Sequence, residues 1–232
     1  MFNPKKCIGT VARQFSTAPA EYFLNDWEKL ILYNSEHVCG PNEYIHYTKG
    51  TVSYHELGRA QCVEDMRGDW LFMLDTDHMF APDLLDRLLF LKNKHNCLVI
   101  SGIYQYKFPP HAPVANVWES PDPQDRRLNP ILDWDRKAEI IPVGAVGGGV
   151  LLIDRKVFSA IQQDSGENPF GKIEGLSEDY SFFYRLKKLG ITPYLAPKVQ
   201  CHHVISCPLS VDDYSNLTLG KVVSTENGKI IV

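Results

Sequence analysis

The chain has 232 residues, an apolar content of 44% and a formal net charge of −4, which suits one large α/β domain with a substantial core. The charge argues against a general affinity for phosphate backbones, no apolar run is long enough to cross a bilayer, and MFNPKK is not followed by the apolar segment of a secretory leader. The six cysteines form no CxxC pair and several fall in apolar patterns, so reduced thiols and an intracellular, cytoplasmic protein are expected.

In chain order, residues 6–12 (KCIGTVA) predict a first strand with a Gly9-Thr10 end, and Arg13 and Gln14 fall in the loop behind it. Pro19 opens a predicted helix that runs to about Tyr33, with Phe23, Trp27, Leu30 and Ile31 on one face. Residues 43–47 predict a second strand. Ser53 predicts the cap of the next helix, with Glu56 completing a capping box and Leu57, Ala60, Val63 and Met66 forming its apolar face.

The stretch GDWLFMLDTDHMFAPDLL follows. Its apolar run, residues 70–74, is short and bounded by turn signals, which predicts a buried strand. The strand ends in Asp75-Thr76-Asp77-His78, and Pro82 opens a helix over residues 83–94. Ligands of open α/β sheets bind beyond the carboxyl ends of strands. Two carboxylates at that lip make an oxygen site suited to Mg2+ or Mn2+. The competing local explanation is a solvated turn with a helix cap. Residues 97–102 predict another buried strand, so the strand–helix alternation points to a parallel sheet covered on both faces.

Residues 107–142 break this rhythm with seven prolines, four aspartates, Trp118 and Trp134. A loop of that length reads as a lid or binding loop with aromatic stacking surface. Gly147, Gly148 and Gly149 then enter a strand over residues 150–153, where glycine permits close backbone approach, and Asp154 caps a short helix. Ser177 caps a helix whose first turn holds Glu178 and Asp179, where the helix dipole favours acids for purely structural reasons. Residues 192–195 predict a last strand. In an extended VQCHHV, His202 and His203 point to opposite faces, so only one can join a given metal. Residues 221–232 suggest a loose terminal hairpin.

Together these pieces resemble the GT-A glycosyltransferases, above all the short family-2-like ones. The likeness rests on the Gly-Thr strand end, on Arg59 before the apolar strand and Asp75-Thr76-Asp77, on GAVGGGVLLIDRKVF, on SEDYSFFYRLKKLG and on the late histidine of CHHV. It implies a Rossmann-like α/β fold of one domain, with a mostly parallel sheet and helices on both faces. Residues 7–105 would be the nucleotide-sugar half, 106–142 an insertion or lid, 143–205 the acceptor and catalytic half, and 206–232 a tail. The implied reaction moves a sugar from a nucleotide-sugar donor to an acceptor hydroxyl, with inversion and with Mn2+ or Mg2+ as cofactor. Asp77 and His203 would ligate the ion, and Asp75 would join them through a metal-bound water or contact the ribose. Asp179, or Glu178, would be the general base. Gly147, Gly148 and Gly149 would line the donor sugar and acceptor, and Thr10, Arg13 and Arg59 would lie near the nucleotide.

The sequence departs from that family in lacking its N-terminal proline-rich loop and a clear uracil-reading aspartate, so the nucleotide stays open. The acceptor (a glycan, a protein, a lipid-linked sugar or modified nucleic acid) and the oligomeric state stay open too. Three alternatives compete. A haloacid-dehalogenase-like phosphatase also has Asp-x-Asp after a strand, but normally near the chain start. A nucleotidyltransferase of similar fold should carry basic residues in its glycine loop. A non-catalytic sugar- or nucleotide-binding module would keep the site without turnover.

Overall fold

The computed structural model describes residues 5–14, 21–51, 54–108 and 110–204, with the backbone of two short strands near the C-terminus. The elements run β1 (Lys6–Gln14), α1 (Glu21–Tyr33) continuing into a π-helical turn (Asn34–Val38), β2 (Glu43–Gly50), α2 (His55–Glu64), β3 (Trp70–Asp75), β4 (His78–Met79), α3 (Leu84–Lys94) and β5 (Val99–Ile103). Then come β6 (Ala115–Trp118), β7 (Leu128–Pro130), β8 (Ile141–Pro142), β9 (Ala145–Val146), β10 (Val150–Asp154), α4 (Arg155–Asp164), α5 (Glu178–Lys188), β11 (Tyr194–Gln200) and β12 (His202–His203). The last pair, β13 (Val223–Ser224) and β14 (Ile230–Ile231), is antiparallel, in agreement with the hairpin expected there.

A seven-stranded sheet carries the single domain, in the order β2-β1-β3-β10-β5-β11-β8. β1 pairs in parallel with β2 and β3, and β5 in parallel with β11. β10 runs antiparallel between β3 and β5, and β8 closes the edge antiparallel. The mostly parallel sheet follows from the strand–helix alternation of the sequence. The reversal at β10 does not, because a buried antiparallel strand reads as the same apolar run.

Side-chain alternation along β3 divides the core. Trp70, Phe72 and Leu74 pack with Phe23, Trp27 and Leu30 of α1 and Leu84, Leu88 and Leu91 of α3. Leu71 and Met73 face the other way, onto Cys62 of α2, Val157 and Ile161 of α4, and Phe182, Phe183 and Leu186 of α5. Helices therefore cover both faces, as the periodicity predicts.

Three local expectations change. β1 continues through Arg13 and Gln14 because β2 and β3 pair with it on both sides to that point. α2 is rotated from its predicted face: Leu57 is 51% exposed, while Gly58, Arg59 and Cys62 are buried. Carboxylates inside the fold draw Arg59 inward more strongly than solvent repels Leu57. The insertion is also partly ordered, since β6 pairs with β7 and β9 in a small sheet of its own. Ser177 and Asp154 cap α5 and α4 as expected, accepting from the backbone N–H of Tyr180 and Lys156. Ser53, Pro19 and residues 205–222 lie outside the described residues. Among the described residues no helix is long and apolar enough to cross a membrane, and Cys7, Cys39, Cys62, Cys97 and Cys201 are free thiols.

Candidate active site at the lip of the sheet

Six segments converge beyond the carboxyl end of β3. Asp75 ends the strand, and its N–H donates to the Gly149 carbonyl at 2.9 Å, so the glycine run lies directly against the acidic motif. The motif turns into β4, which pairs with β12 so that His203 stands opposite His78. The Val204 N–H donates to the Asp77 carbonyl at 2.8 Å and seals that approach. A histidine more than a hundred residues away in sequence is thereby placed against Asp77 by two backbone contacts. His202 is exposed on the opposite side, as strand alternation requires.

The first group is Asp77, His78 and His203. Their candidate ligand atoms all lie within 4.8 Å of one another. His203 Nε2 is 3.5 Å from Asp77 Oδ2, and His78 Nδ1 is 3.0 Å from Asp77 Oδ1. The His203 Nδ1 contacts the Gln105 carbonyl at 2.8 Å. A carbonyl only accepts, so Nδ1 carries a proton, and Nε2 is the ring atom turned toward Asp77. That second contact is what orients metal-bound imidazoles. The two imidazoles stack at 4.5 Å, and Tyr104 stands edge-on to both at 4.6 and 5.7 Å. His78 is 1% exposed, and neither of its ring nitrogens nor Asp77 Oδ1 has an aligned hydrogen-bond partner. Orphaned buried donor atoms of this kind, from one carboxylate and two imidazoles, fit a divalent transition ion. Burial alone pushes the Asp77 carboxyl up, but the contacts from His203, His78 and Lys107 more than reverse this and hold it well below the usual carboxylate range.

The second group surrounds Arg59, which is 1% exposed. Its Nη1 donates to the Gly148 carbonyl at 2.9 Å and Nη2 to Asp75 Oδ2 at 3.4 Å. Its Nε lies 2.9 Å from Asp179 Oδ1 and 3.9 Å from Glu178 Oε1. One guanidinium thus compensates three carboxylates from β3 and α5. Burial disfavours its charge, and Asp179, Asp75 and Glu178 outweigh that, so its pKa rises further. Asp179 also accepts from the Gly148 N–H at 2.9 Å. Burial pushes the Asp179 carboxyl up to about 6, opposed by Arg59 and reinforced by Glu178 and Asp75. Asp179 stands in the first turn of its helix with its oxygens turned to Arg59 and the Gly148 N–H.

The three glycines are small because this site presses on them. A Cβ on Gly148 would lie 2.4 Å from Arg59 Cζ and 2.5 Å from Asp179 Oδ1. On Gly147 it would meet the Tyr104 hydroxyl at 2.1 Å, and on Gly149 the His78 Cε1 at 2.7 Å. The Gly149 N–H donates to that same hydroxyl at 3.0 Å.

Of the residues singled out in sequence, Asp75, Asp77, Gly147, Gly148, Gly149, Glu178, Asp179, Arg59 and His203 meet at this lip. Asp75 points to Arg59 rather than into the Asp77 group. Arg13 sits one residue before the end of β1, beside Leu74, with its guanidinium 5.4 Å above the Trp27 ring. Thr10 is set apart. It pairs with Leu71, four residues before Asp75, and its hydroxyl donates to the Arg67 carbonyl and accepts from the Arg67 N–H. Extension of β1 is the reason, because four residues of strand put roughly 13 Å between Thr10 and the lip. Trp118 is not an open stacking platform either: it packs against Tyr184 at 6.1 Å with the Lys187 ammonium 4.8 Å over its ring. Sequence reasoning missed His78, Tyr104 and Lys107. His78 had a signal, standing directly after the acidic motif. Tyr104 and Lys107 had none.

No family model matches the sequence, and no curated protein does. Among solved structures the chain is similar to GalNAc-T7 in complex with UDP, GalNAc and Mn2+, at 12% identity and a TM-score of 0.51 over 87% of this chain and 43% of that one. The chain therefore spans under half the length of that protein. It is also similar to A197 from STIV, at 13% identity and a TM-score of 0.49 over 88% of this chain and 96% of that one. The likeness to GalNAc-T7 shows the fold, a GT-A-like α/β sheet.

Proposed function

We propose that the protein is a metal-dependent glycosyltransferase, in the manner of the family-2-like GT-A enzymes its motifs resemble, moving a sugar from a nucleotide-sugar to an acceptor hydroxyl with inversion. One observation carries this. A metal-ligand set and a buried carboxylate with a raised pKa stand side by side at one strand lip. The fold likeness to a transferase that holds UDP, GalNAc and Mn2+ supports it.

Asp77, His203 and His78 would hold the ion, and two imidazoles favour Mn2+ over Mg2+, which prefers all-oxygen ligands. When bound, such an ion supplies charge stabilisation to the departing diphosphate. Asp75 keeps one oxygen on Arg59 and leaves Oδ1, which has no partner, for a ribose hydroxyl or a water. Asp179 takes the proton of the acceptor hydroxyl, with the Gly148 N–H and Arg59 fixing its orientation. Glu178 tunes that base through its charge. Arg59 acts on the nucleotide side only through these carboxylates, and Arg13, near the carboxyl end of β1, would be the basic residue on the nucleotide side.

The test is release of nucleoside diphosphate from a panel of nucleotide-sugars with Mn2+. At least one donor should be turned over, with loss of turnover on chelation and in Asp77→Ala. Asp179→Asn should still bind that donor but react roughly 10²–10⁴-fold more slowly. Failure of every donor to bind or react with Mn2+ present contradicts the proposal.

A further inference from the structure

The Asp77 carboxylate is already occupied by a cation of the chain itself. Lys107 Nζ lies 2.5 Å from Asp77 Oδ2, the oxygen that also faces His203 Nε2. An ammonium and a divalent ion cannot share that oxygen, because like charges a few ångströms apart repel strongly in a partly buried site. We propose that Lys107 holds the place of the divalent ion in the empty enzyme, leaves Asp77 when the ion enters, and then pairs with the diphosphate of the donor. This rests on the metal-dependent transferase proposed above.

The surrounding backbone allows such a handover. Lys107 and Phe108 form the tip of a narrow loop whose sides are joined by Tyr106 N–H to the Ala112 carbonyl and Val114 N–H to the Tyr104 carbonyl, both at 2.9 Å. Its base is fixed: Tyr104 is 6% exposed between the imidazoles and Gly149, and the Gln105 carbonyl holds His203. The tip is open, with the Lys107 side chain 37% and Phe108 77% exposed. Release of Lys107 therefore leaves the His203 orientation intact and moves only the tip. The charge balance points the same way. A single carboxylate needs one positive partner, and the ammonium supplies it. A divalent ion overcompensates, and the arriving diphosphate restores negative charge beside it. A flexible lysine is suited to meet phosphate as a mobile point charge.

The test measures Mn2+ alone, by titration of the parent, Lys107→Met and Lys107→Gln, followed by UDP and GDP with Mn2+ saturating. Both variants should bind Mn2+ about three- to tenfold tighter, the equivalent of one partly exposed ion pair. Both should bind the nucleoside diphosphate several-fold more weakly than the parent once Mn2+ is saturating. In the parent, Mn2+ alone should speed amide hydrogen exchange at the loop tip, Lys107 and Phe108, and the nucleoside diphosphate should slow it again. Equal or weaker Mn2+ binding in the variants, or exchange indifferent to Mn2+, overturns the handover while leaving the transferase assignment standing. Tighter Mn2+ binding with unchanged diphosphate affinity overturns its second half. No Mn2+ binding by any of the three proteins defeats both.

Discussion

Arg59 shows how one side chain can hold several carboxylates at one strand lip. It lies in the interior with carboxylates from two elements and a glycine carbonyl around it. Removing the cation leaves three acids uncompensated, so Arg59→Met is expected to lower unfolding free energy by about 3–5 kcal/mol, measured by urea denaturation. A variant that unfolds like the parent would show that the acids are not held by Arg59. Asp179→Asn should behave differently, because Asp75 and Glu178 still face the guanidinium. The folded state raises the Asp179 carboxyl from 3.8 to about 6, so it holds that proton more tightly than the unfolded chain does. Its contribution to stability is full below about pH 4 and is lost as pH rises through about 6. The melting temperature of Asp179→Asn relative to the parent should therefore climb between pH 4.5 and pH 7.5. The parent's transfer rate should rise over the same window, because the base works only when deprotonated. A flat melting difference and a flat rate across pH 6 would remove Asp179 from that role.

At the scale of elements, the insertion divides into a packed part and an open tip. Trp118 on β6 lies against α5, so Trp118→Ala should lower stability by roughly 1–3 kcal/mol and leave nucleoside diphosphate affinity near the parent's. Loss of that affinity with unchanged stability would restore Trp118 as a ligand contact. The sequence carried the strong elements well. β3 was legible from its apolar run, α5 from Ser177 and the acids of its first turn, and α4 from Asp154. What was not legible had physical causes. The inward face of α2 depends on Arg59 finding acids more than a hundred residues downstream, and no local pattern contains that. The length of β1 was set by pairing on both sides, which puts Thr10 four residues back from the lip. The tryptophans of the insertion were visible as residues, but which of them is covered depends on the small sheet of β6, β7 and β9.

Across the whole molecule, the antiparallel entry of β10 between β3 and β5 is what makes one lip out of distant segments. It turns the glycine run back onto Asp75, while β12 returns His203 to Asp77. The acidic motif, the late histidine and the acid pair could each be named in the sequence because their order and spacing together resemble one family, although each alone has a structural explanation. Their division into an Asp77 group and an Arg59-centred group could not, since it depends on which oxygen faces which cation in the folded state. The central claim is that the Asp77 group binds a divalent ion that in turn holds a nucleoside diphosphate. Calorimetric titration of UDP and GDP into the parent and into Asp77→Ala, each with Mn2+ and with excess chelator, tests it most directly. Binding by the parent only with Mn2+, abolished or weakened at least tenfold in Asp77→Ala, is the predicted result. Equal affinity with Mn2+ and with chelator, or an undiminished affinity in Asp77→Ala, would contradict it.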